Sequence, residues 1–260
     1  MKILSTDHIK NNLREKLKAR DIKGKILLLS KDPSDEVIFY KNIIKKRAKD
    51  FDIAYIDHEF TSENQDQILN YINSFPENYG FIILSPFGKE ENLSLLRREI
   101  RLKDLDSFTY KSLGLSMEGE RNGLPATAKA IAIFLEDKFK DLRGLNIVIA
   151  NNTNIIGKPL ASYLSSKDAS LTIINKYSKN QREIIKKADI FISAIGRAQY
   201  YGKSYFRDGM VLIDVGTSVK DGLVYGDIDY ESLKDLDLEV LTNKKGIGAI
   251  TTLSLLEGLI

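Results

Sequence analysis

Short, nearly unbroken apolar runs recur along the whole chain, and most are followed by a stretch with helical spacing. The runs fall at 25–30 (KILLLS), 53–56 (IAYI), 81–85 (FIILS), 146–151 (NIVIAN), 170–174 (SLTII), 190–195 (IFISAI), 210–215 (MVLIDV) and 239–242 (EVLT). A strand with one wet face alternates apolar and polar residues. Most of these runs do not, so they are predicted to be strands buried on both faces. Helices are expected at 36–49, 92–101, 126–139, 157–166 and 180–187. Alternation of this kind gives parallel sheets joined by right-handed crossovers, an α/β fold.

The chain has 260 residues, enough for one large or two small domains with a sizeable core. It contains no cysteine, which excludes disulfides, thiolate metal sites and a cysteine nucleophile. With only His8 and His58, no multi-histidine metal cage is expected. A net charge of +3 is too balanced to point to nucleic acid. No stretch has the roughly 18–20 apolar residues of a membrane span. The first twenty residues are charged throughout and lack a signal-like apolar region. They read as a helix with Ser5, Thr6 and Asp7 as capping candidates and Ile9, Leu13 and Leu17 on one stripe. A soluble, cytoplasmic protein is expected, with no nucleic-acid or membrane partner. The segment 110–123 is polar, glycine-bearing and poorly periodic, and divides a first α/β unit from a fresh β-α-β run at 145.

Several strand ends carry candidate chemistry. The run NIVIAN leads through Asn151, Asn152 and Thr153 to a helix whose first turn holds Gly157 and Pro159. Glycine there lets backbone approach a ligand, proline fits a first turn, and a helix start after a strand can hold an anion. An ordinary βα turn would look the same. The strand SLTII ends at Asn175-Lys176-Tyr177-Ser178-Lys179, with no acid to select a ribose hydroxyl and two lysines suited to a 2′-phosphate. A solvated basic loop is the other reading. AIGRA (194–198, with Gly196), DVGTS (214–218, with Thr217) and KKGIGAIT (244–251) put small residues at further strand ends or helix starts. Ligands of such sheets bind outside the carboxyl ends of the strands.

Taken in order, NIIGKP, ADIFISAIG, GMVLIDVGTS, GDIDY and GIGAIT are similar to the second half of the methylenetetrahydrofolate dehydrogenase/cyclohydrolase (FolD) family. That family reads GRSxxVGxP, ADI-x3-A-x-G, VIDVGIN, GDVDF and PGGVGPMT. In the first half, Tyr40 with its Lys-rich helix resembles the family's YxxxKxK helix. GFIILSPF stands at its G-x3-QLPLP strand, KDLDSF at KDVDGF, and GLPATAKA at its PCTPxG helix start. The resemblance covers almost the whole chain. It implies two α/β domains, 1–125 plus 246–260 for tetrahydrofolate or a related pterin and 126–245 as a Rossmann-type NAD(P)-binding domain, with a cleft between them. It implies hydride transfer from methylenetetrahydrofolate to NADP or NAD, and in bifunctional members hydrolysis of the methenyl product. A homodimer is implied too.

The departures from the family lie in its site. The family lysine four residues after the tyrosine is Ile44, and its supporting glutamine is Leu84. Lys45 is one residue on, about 100° further around a helix. Hydration of a methenyl carbon needs a proton-transfer group, whereas hydride transfer mainly needs alignment. The losses therefore bear on cyclohydrolase more than on dehydrogenase. By resemblance, Asp106 holds the pterin edge, Tyr40 packs on the ring, and Leu84, Gly246, Ile247 and Gly248 line the substrate site. Lys45 is the alternative catalytic cation. Asn151, Asn152, Thr153, Gly157, Lys176, Gly196 and Thr217 stand at dinucleotide positions, with a lean to NADP. The neighbouring family glycine is Ser107, and the loop at 245–249 is one residue shorter, so a modified pterin carrier fits as well as folate. A bifunctional enzyme using Lys45, a non-catalytic nucleotide- or pterin-binding paralogue and a different Rossmann dehydrogenase are the alternatives.

Overall fold

The computed structural model describes residues 1–88, 92–220, 222–244 and 246–259. The chain opens with a short strand, β1 (Lys2–Ile3), and a helix, α1 (Asp7–Lys18). Next come β2 (Lys25–Lys31), α2 (Asp35–Lys49), β3 (Tyr55–Phe60), α3 (Gln65–Asn73) and β4 (Tyr79–Ile83). The first half closes with α4 (Ser94–Glu99), β5 (Lys103–Asp104) and α5 (Tyr110–Met117). After α6 (Ala126–Lys138) the second half runs β6 (Asn146–Ala150), α7 (Gly157–Ser165), β7 (Ser170–Ile174), α8 (Gln181–Lys186) and β8 (Ile190–Ser193). It ends with β9 (Val211–Asp214), a hairpin of β10 (Ser218–Lys220) and β11 (Leu223–Tyr225), β12 (Glu239–Leu241) and α9 (Gly248–Leu256).

Two parallel sheets result. The first has the order β3-β2-β4-β5, and the second β1-β12-β9-β8-β6-β7. In the second sheet the strand order reverses beside β6, the kind of crevice where α/β sheets take ligands. Its edge strand β1 comes from the chain start, with Lys2 and Ile3 registered against Glu239 and Val240. The division at 1–125 put these residues with the first unit, but their hydrogen bonds lie in the second sheet. Helices α6 and α9 pack on each other, and α9 also meets α1 and α2. One apolar cluster runs through this layer from Ile26 and Ile82 of the first sheet to Ile149 and Ile213 of the second. The two sheets therefore share a core.

The apolar runs emerge as strands with small shifts, and three differences have physical causes. The strand expected at 53–56 starts at Tyr55 and continues through polar Asp57, His58 and Glu59. It is the sheet edge, so one face is wet and the run alternates. The segment 110–123 contains a helix, α5. Thr109 caps it by accepting the Ser112 N–H at 3.1 Å, and the Asp104 carboxylate accepts from the Thr109 N–H and hydroxyl at 2.7 and 2.8 Å. The third difference is the β10–β11 hairpin, whose three-residue strands are too short to register as apolar runs. Among the described residues, no helix is long and apolar enough to cross a membrane.

Candidate active site

The loop that leaves β6 organises two cavities. Asn151 fixes its shape: the side-chain oxygen accepts from the N–H groups of Thr153 (2.9 Å) and Gly157 (3.0 Å), and its amide nitrogen donates to the Ala194 carbonyl at 2.7 Å. Gly157 is required by contact, because a Cβ there would lie 1.7 Å from the Asn151 carbonyl oxygen. The Thr153 hydroxyl and carbonyl accept from the N–H groups of Ile156 and Lys158 at 3.3 and 3.1 Å. The first donors of α7 are thus largely consumed inside the loop. The expectation of a bare helix start waiting for an anion is corrected by this network.

Positive charge comes instead from side chains. A cavity of about 430 Å³ lies over the ends of β6, β7 and β8, lined by Asn151, Asn152, Thr153, Lys176, Gln181 and Arg197 among others. Among the described residues, no carboxylate lines it. Lys176 lies over the ring of Tyr177 (4.9 Å) and Arg197 over that of Tyr200 (5.6 Å). The cation set and the aromatic faces suit the phosphorylated ribose and base of a dinucleotide. Gly196 and Thr217 meet across the ends of β8 and β9, the Cβ position of Gly196 being 3.8 Å from the Thr217 carbonyl oxygen. Neither lines this cavity.

Two buried carboxylates hold the loops under that cavity. Asp227 accepts from the Ser193 hydroxyl (2.6 Å) and from the N–H groups of Ile195 (2.7 Å) and Arg197 (2.8 Å). Asp214 accepts from the N–H groups of Asp227 and Ile228, both at 3.0 Å, and from the Tyr230 hydroxyl at 2.6 Å. Burial still pushes Asp214 up to about 6, against these bonds. The glycines beside them complete a reciprocal fit. A Cβ on Gly216 would sit 2.1 Å from the Asp227 carboxylate, and one on Gly226 would sit 2.1 Å from that of Asp214. DVG and GD are thus two halves of one packing unit.

The second cavity, about 280 Å³, lies between the two sheets. Tyr40, Leu84 and Asp106 line one side; Asn154 and Ile155, from the far half of the β6 loop, line the other. Asp106 accepts the first N–H of α6, from Ala126, at 2.6 Å. Burial pushes its carboxyl up to about 7, with the Ala126 bond opposing and the Asp104 charge adding. Burial, with the Asp106 charge beside it, likewise raises the Tyr40 phenol.

The remaining expected residues stand elsewhere. The Lys45 ammonium pairs with Asp57 of β3 and does not line the cleft. Lys41, one turn earlier, joins the same carboxylate at 3.2 Å and donates to the Ser30 hydroxyl at 3.2 Å. Ile44 is fully buried and shares the central apolar cluster with Leu84 and Ile247. Gly246 accepts from the Thr6 hydroxyl at 3.2 Å, Ile247 points into the core, and Gly248 opens α9, so none of the three lines the cleft. Lys245 of that loop lies outside the described residues. Arg197, Arg97, Asn154 and the Asp214–Asp227 pair were not singled out by the sequence reading. For the carboxylates the signal was present in the adjacent DVG and GD motifs.

A parallel sheet with a cationic cavity at its carboxyl ends, opening beside an acid-lined cleft against a second sheet, defines a two-domain dinucleotide-binding protein. Residues 125–260 match the family model described as "Tetrahydrofolate dehydrogenase/cyclohydrolase, NAD(P)-binding domain". Over 257 residues the chain is 31% identical to the "Bifunctional protein FolD" of Clostridium botulinum strain Langeland, covering 96% of this chain and 91% of that one. The chain belongs to the tetrahydrofolate dehydrogenase/cyclohydrolase family. Its fold matches the bifunctional FolD enzyme of Campylobacter jejuni with a TM-score of 0.91 at 22% identity, covering 100% of this chain and 97% of that one. The FolD structure from Trypanosoma brucei, complexed with NADP and an inhibitor, gives 0.87 at 20% identity, covering 99% and 95%.

Proposed function

We propose that this chain is an NADP-dependent methylenetetrahydrofolate dehydrogenase, or one acting on a closely related methylene-tetrahydropterin, with little or no cyclohydrolase activity. The observation that carries this reading is the shared β6 loop: Asn151–Thr153 line the cationic cavity and Asn154–Ile155 line the cleft. Ligands in the two cavities would meet across five consecutive residues.

The cationic cavity fits the dinucleotide, because Gly157 leaves room for the close loop and no described acid opposes a phosphate. Asn152, Lys176 and Arg197 would hold it, and two cations where an acid would select a ribose hydroxyl favour NADP over NAD. When bound, the oxidised nicotinamide supplies the acceptor for a hydride. In the cleft, Asp106 would accept the ring N–H and amino donors of the pterin. Tyr40 offers a flat face at the same wall. Leu84 on the cleft wall and Ile44 behind it in the same apolar cluster supply no proton-transfer group, which disfavours hydration of the methenyl carbon. The enzyme is read as a cytoplasmic homodimer; the β10–β11 hairpin leaves the cross-strand pair Val219 and Val224 exposed on one face, where a second copy could pack.

Purified protein given methylenetetrahydrofolate and NADP should generate the absorbance of the reduced nicotinamide, while formation of the 10-formyl product should stay near the uncatalysed rate. Absence of reduction with methylenetetrahydrofolate and methylenetetrahydromethanopterin, each with NADP and NAD, would refute the dehydrogenase reading. Mass from light scattering at twice 29.4 kDa is expected for the dimer.

A further inference from the structure

Two unpartnered donors belong to residues that line the cleft. Buried polar atoms in folded proteins nearly always have a hydrogen-bond partner, and exceptions mark places where something is missing. The Arg97 Nε and the Ser107 Oγ are both buried without a partner, and both residues line the cleft with Asp106.

Neither donor is loosely placed. The Arg97 guanidinium lies over the rings of Phe108 (5.4 Å) and Tyr110 (5.0 Å), so its plane is held from the first unit's own aromatics. Among the described residues no carboxylate pairs with it. Ser107 is only 3% exposed and sits at φ +54, in the left-handed region that favours glycine. A side chain there carries a conformational cost, and its hydroxyl gains no bond within the protein.

We propose that Arg97 and Ser107 are specificity-determining residues that donate to the 4-oxo oxygen of the substrate's pyrimidinone ring. The proposal rests on the reading of Asp106 as the acceptor for that ring. A 2-amino-4-oxo edge presents two donors followed by one acceptor. Asp106 satisfies the donors. The neighbouring acceptor has two lone pairs, and the two unpartnered donors that line the same cleft as Asp106 match them in number. Reading a full donor-donor-acceptor edge rejects rings that lack the oxo group, because the site's own buried donors would then stay unsatisfied.

The test is equilibrium binding, by calorimetry, of tetrahydrofolate and of 6-methyltetrahydropterin, which has the ring but no acidic tail. Arg97→Met should weaken both ligands by the same factor, about tenfold or more, as expected for loss of a charged donor. Arg97→Lys should recover part of that loss. Ser107→Ala, which removes one hydroxyl and relieves nothing else, should weaken both about three- to tenfold and keeps the test intact if Arg97→Met does not fold. NADP affinity should stay unchanged in all three. Unchanged ring binding in Arg97→Met and Ser107→Ala would overturn the proposal. So would a loss confined to tetrahydrofolate, which would place Arg97 on the carboxylate tail. Asp106→Asn separates the layers: if it leaves 6-methyltetrahydropterin binding intact, the reading of Asp106 itself fails, whereas loss there with none at Arg97 sinks only this proposal.

Discussion

The carboxylates under the cationic cavity and the carboxylate in the cleft are built in opposite ways: Asp214 and Asp227 are fully buried, whereas Asp106 is partly open to the cleft. Asp227 and Asp214 each accept three hydrogen bonds from the protein, and each has a glycine pressed against it. Asp106 accepts one strong bond, from Ala126, and its remaining capacity faces an open cleft. The first pair is structural: its charge is spent on shaping the loops that carry Arg197. The second is held short of satisfaction, which is the condition of a group awaiting a ligand. Partner number and exposure separate the roles, where the direction of the pKa shift does not, since both Asp214 and Asp106 are raised.

The comparison breaks most sharply at Asp227. Replacing it with alanine leaves a buried hydroxyl and two N–H groups without an acceptor, so a loss of about 4 kcal/mol or more in unfolding free energy is expected. Denaturant titration reads the loss directly. Dinucleotide affinity should fall with it, because the Arg197 loop loses its anchor. A stable Asp227→Ala protein with normal NADP binding would show that the network is ornamental.

Next in size is the cleft wall. Ile44 is fully buried in the cluster that contains Leu84, so Ile44→Lys would place an unpaired ammonium in apolar surroundings and cost about 3–4 kcal/mol. Adding Leu84→Gln supplies an acceptor. The double variant should recover part of the stability and acquire measurable 10-formyl product formation. If Ile44→Lys alone is fully stable, the wall is more open to water than its burial implies.

For Asp106 the two halves of the comparison predict opposite signs of stability change. Its folded pKa, about 7, lies above the ordinary carboxylate value. The stabilisation linked to its proton is therefore complete below about pH 4 and is lost as pH rises through about 7. At pH 8 the unliganded fold carries an unfavourable buried charge, so Asp106→Asn should raise the melting temperature there while Asp227→Ala lowers it. Substrate affinity should fall about 100-fold in Asp106→Asn, since a charged double acceptor becomes a neutral mixed one. In the unmodified protein, affinity for the tetrahydropterin should climb up to about tenfold per pH unit below pH 7 and level off above it, because the ionised carboxylate is the binding form. A flat profile from pH 5.5 to 8.5 would remove Asp106 from the ring edge.

How far the sequence reveals this arrangement depends on the kind of information each feature uses. The buried strands were legible because burial on both faces leaves an apolar signature that needs no partner to interpret. The edge strand β3 was legible only at its apolar start, because the rest of it is half wet, and helix α5 was not, because Thr109 and Asp104 set it rather than periodicity. Asp106 and Tyr40 were legible through their motifs, and the cleft does gather them with Leu84. Arg97 lies nine residues before Asp106 in a basic helix, indistinguishable in sequence from its neighbour Arg98, and only the fold turns one of them over two aromatic rings and into the cleft. Loop glycines such as Gly246 resembled ligand contacts but serve packing, with a Cβ position 2.1 Å from the Thr242 carbonyl oxygen.

The smallest expected effect concerns Lys45, and it decides between dehydrogenase alone and a bifunctional enzyme. A lysine one residue beyond the family position could compensate only if the helix slipped to turn it inward. In α2 the regular helix directs it to Asp57 of β3 instead, where Lys41 already provides a second cation. Removing one of two cations from a partly exposed carboxylate should cost about 0–1 kcal/mol. Lys45→Ala should therefore leave the melting temperature, the NADP reduction rate and the trace of 10-formyl product within twofold of the unmodified chain. If the product trace vanishes while reduction persists, Lys45 reaches the cleft during turnover. The separation of the cleft from the cluster of Lys41, Lys45 and Asp57 would then hold only in the absence of substrate.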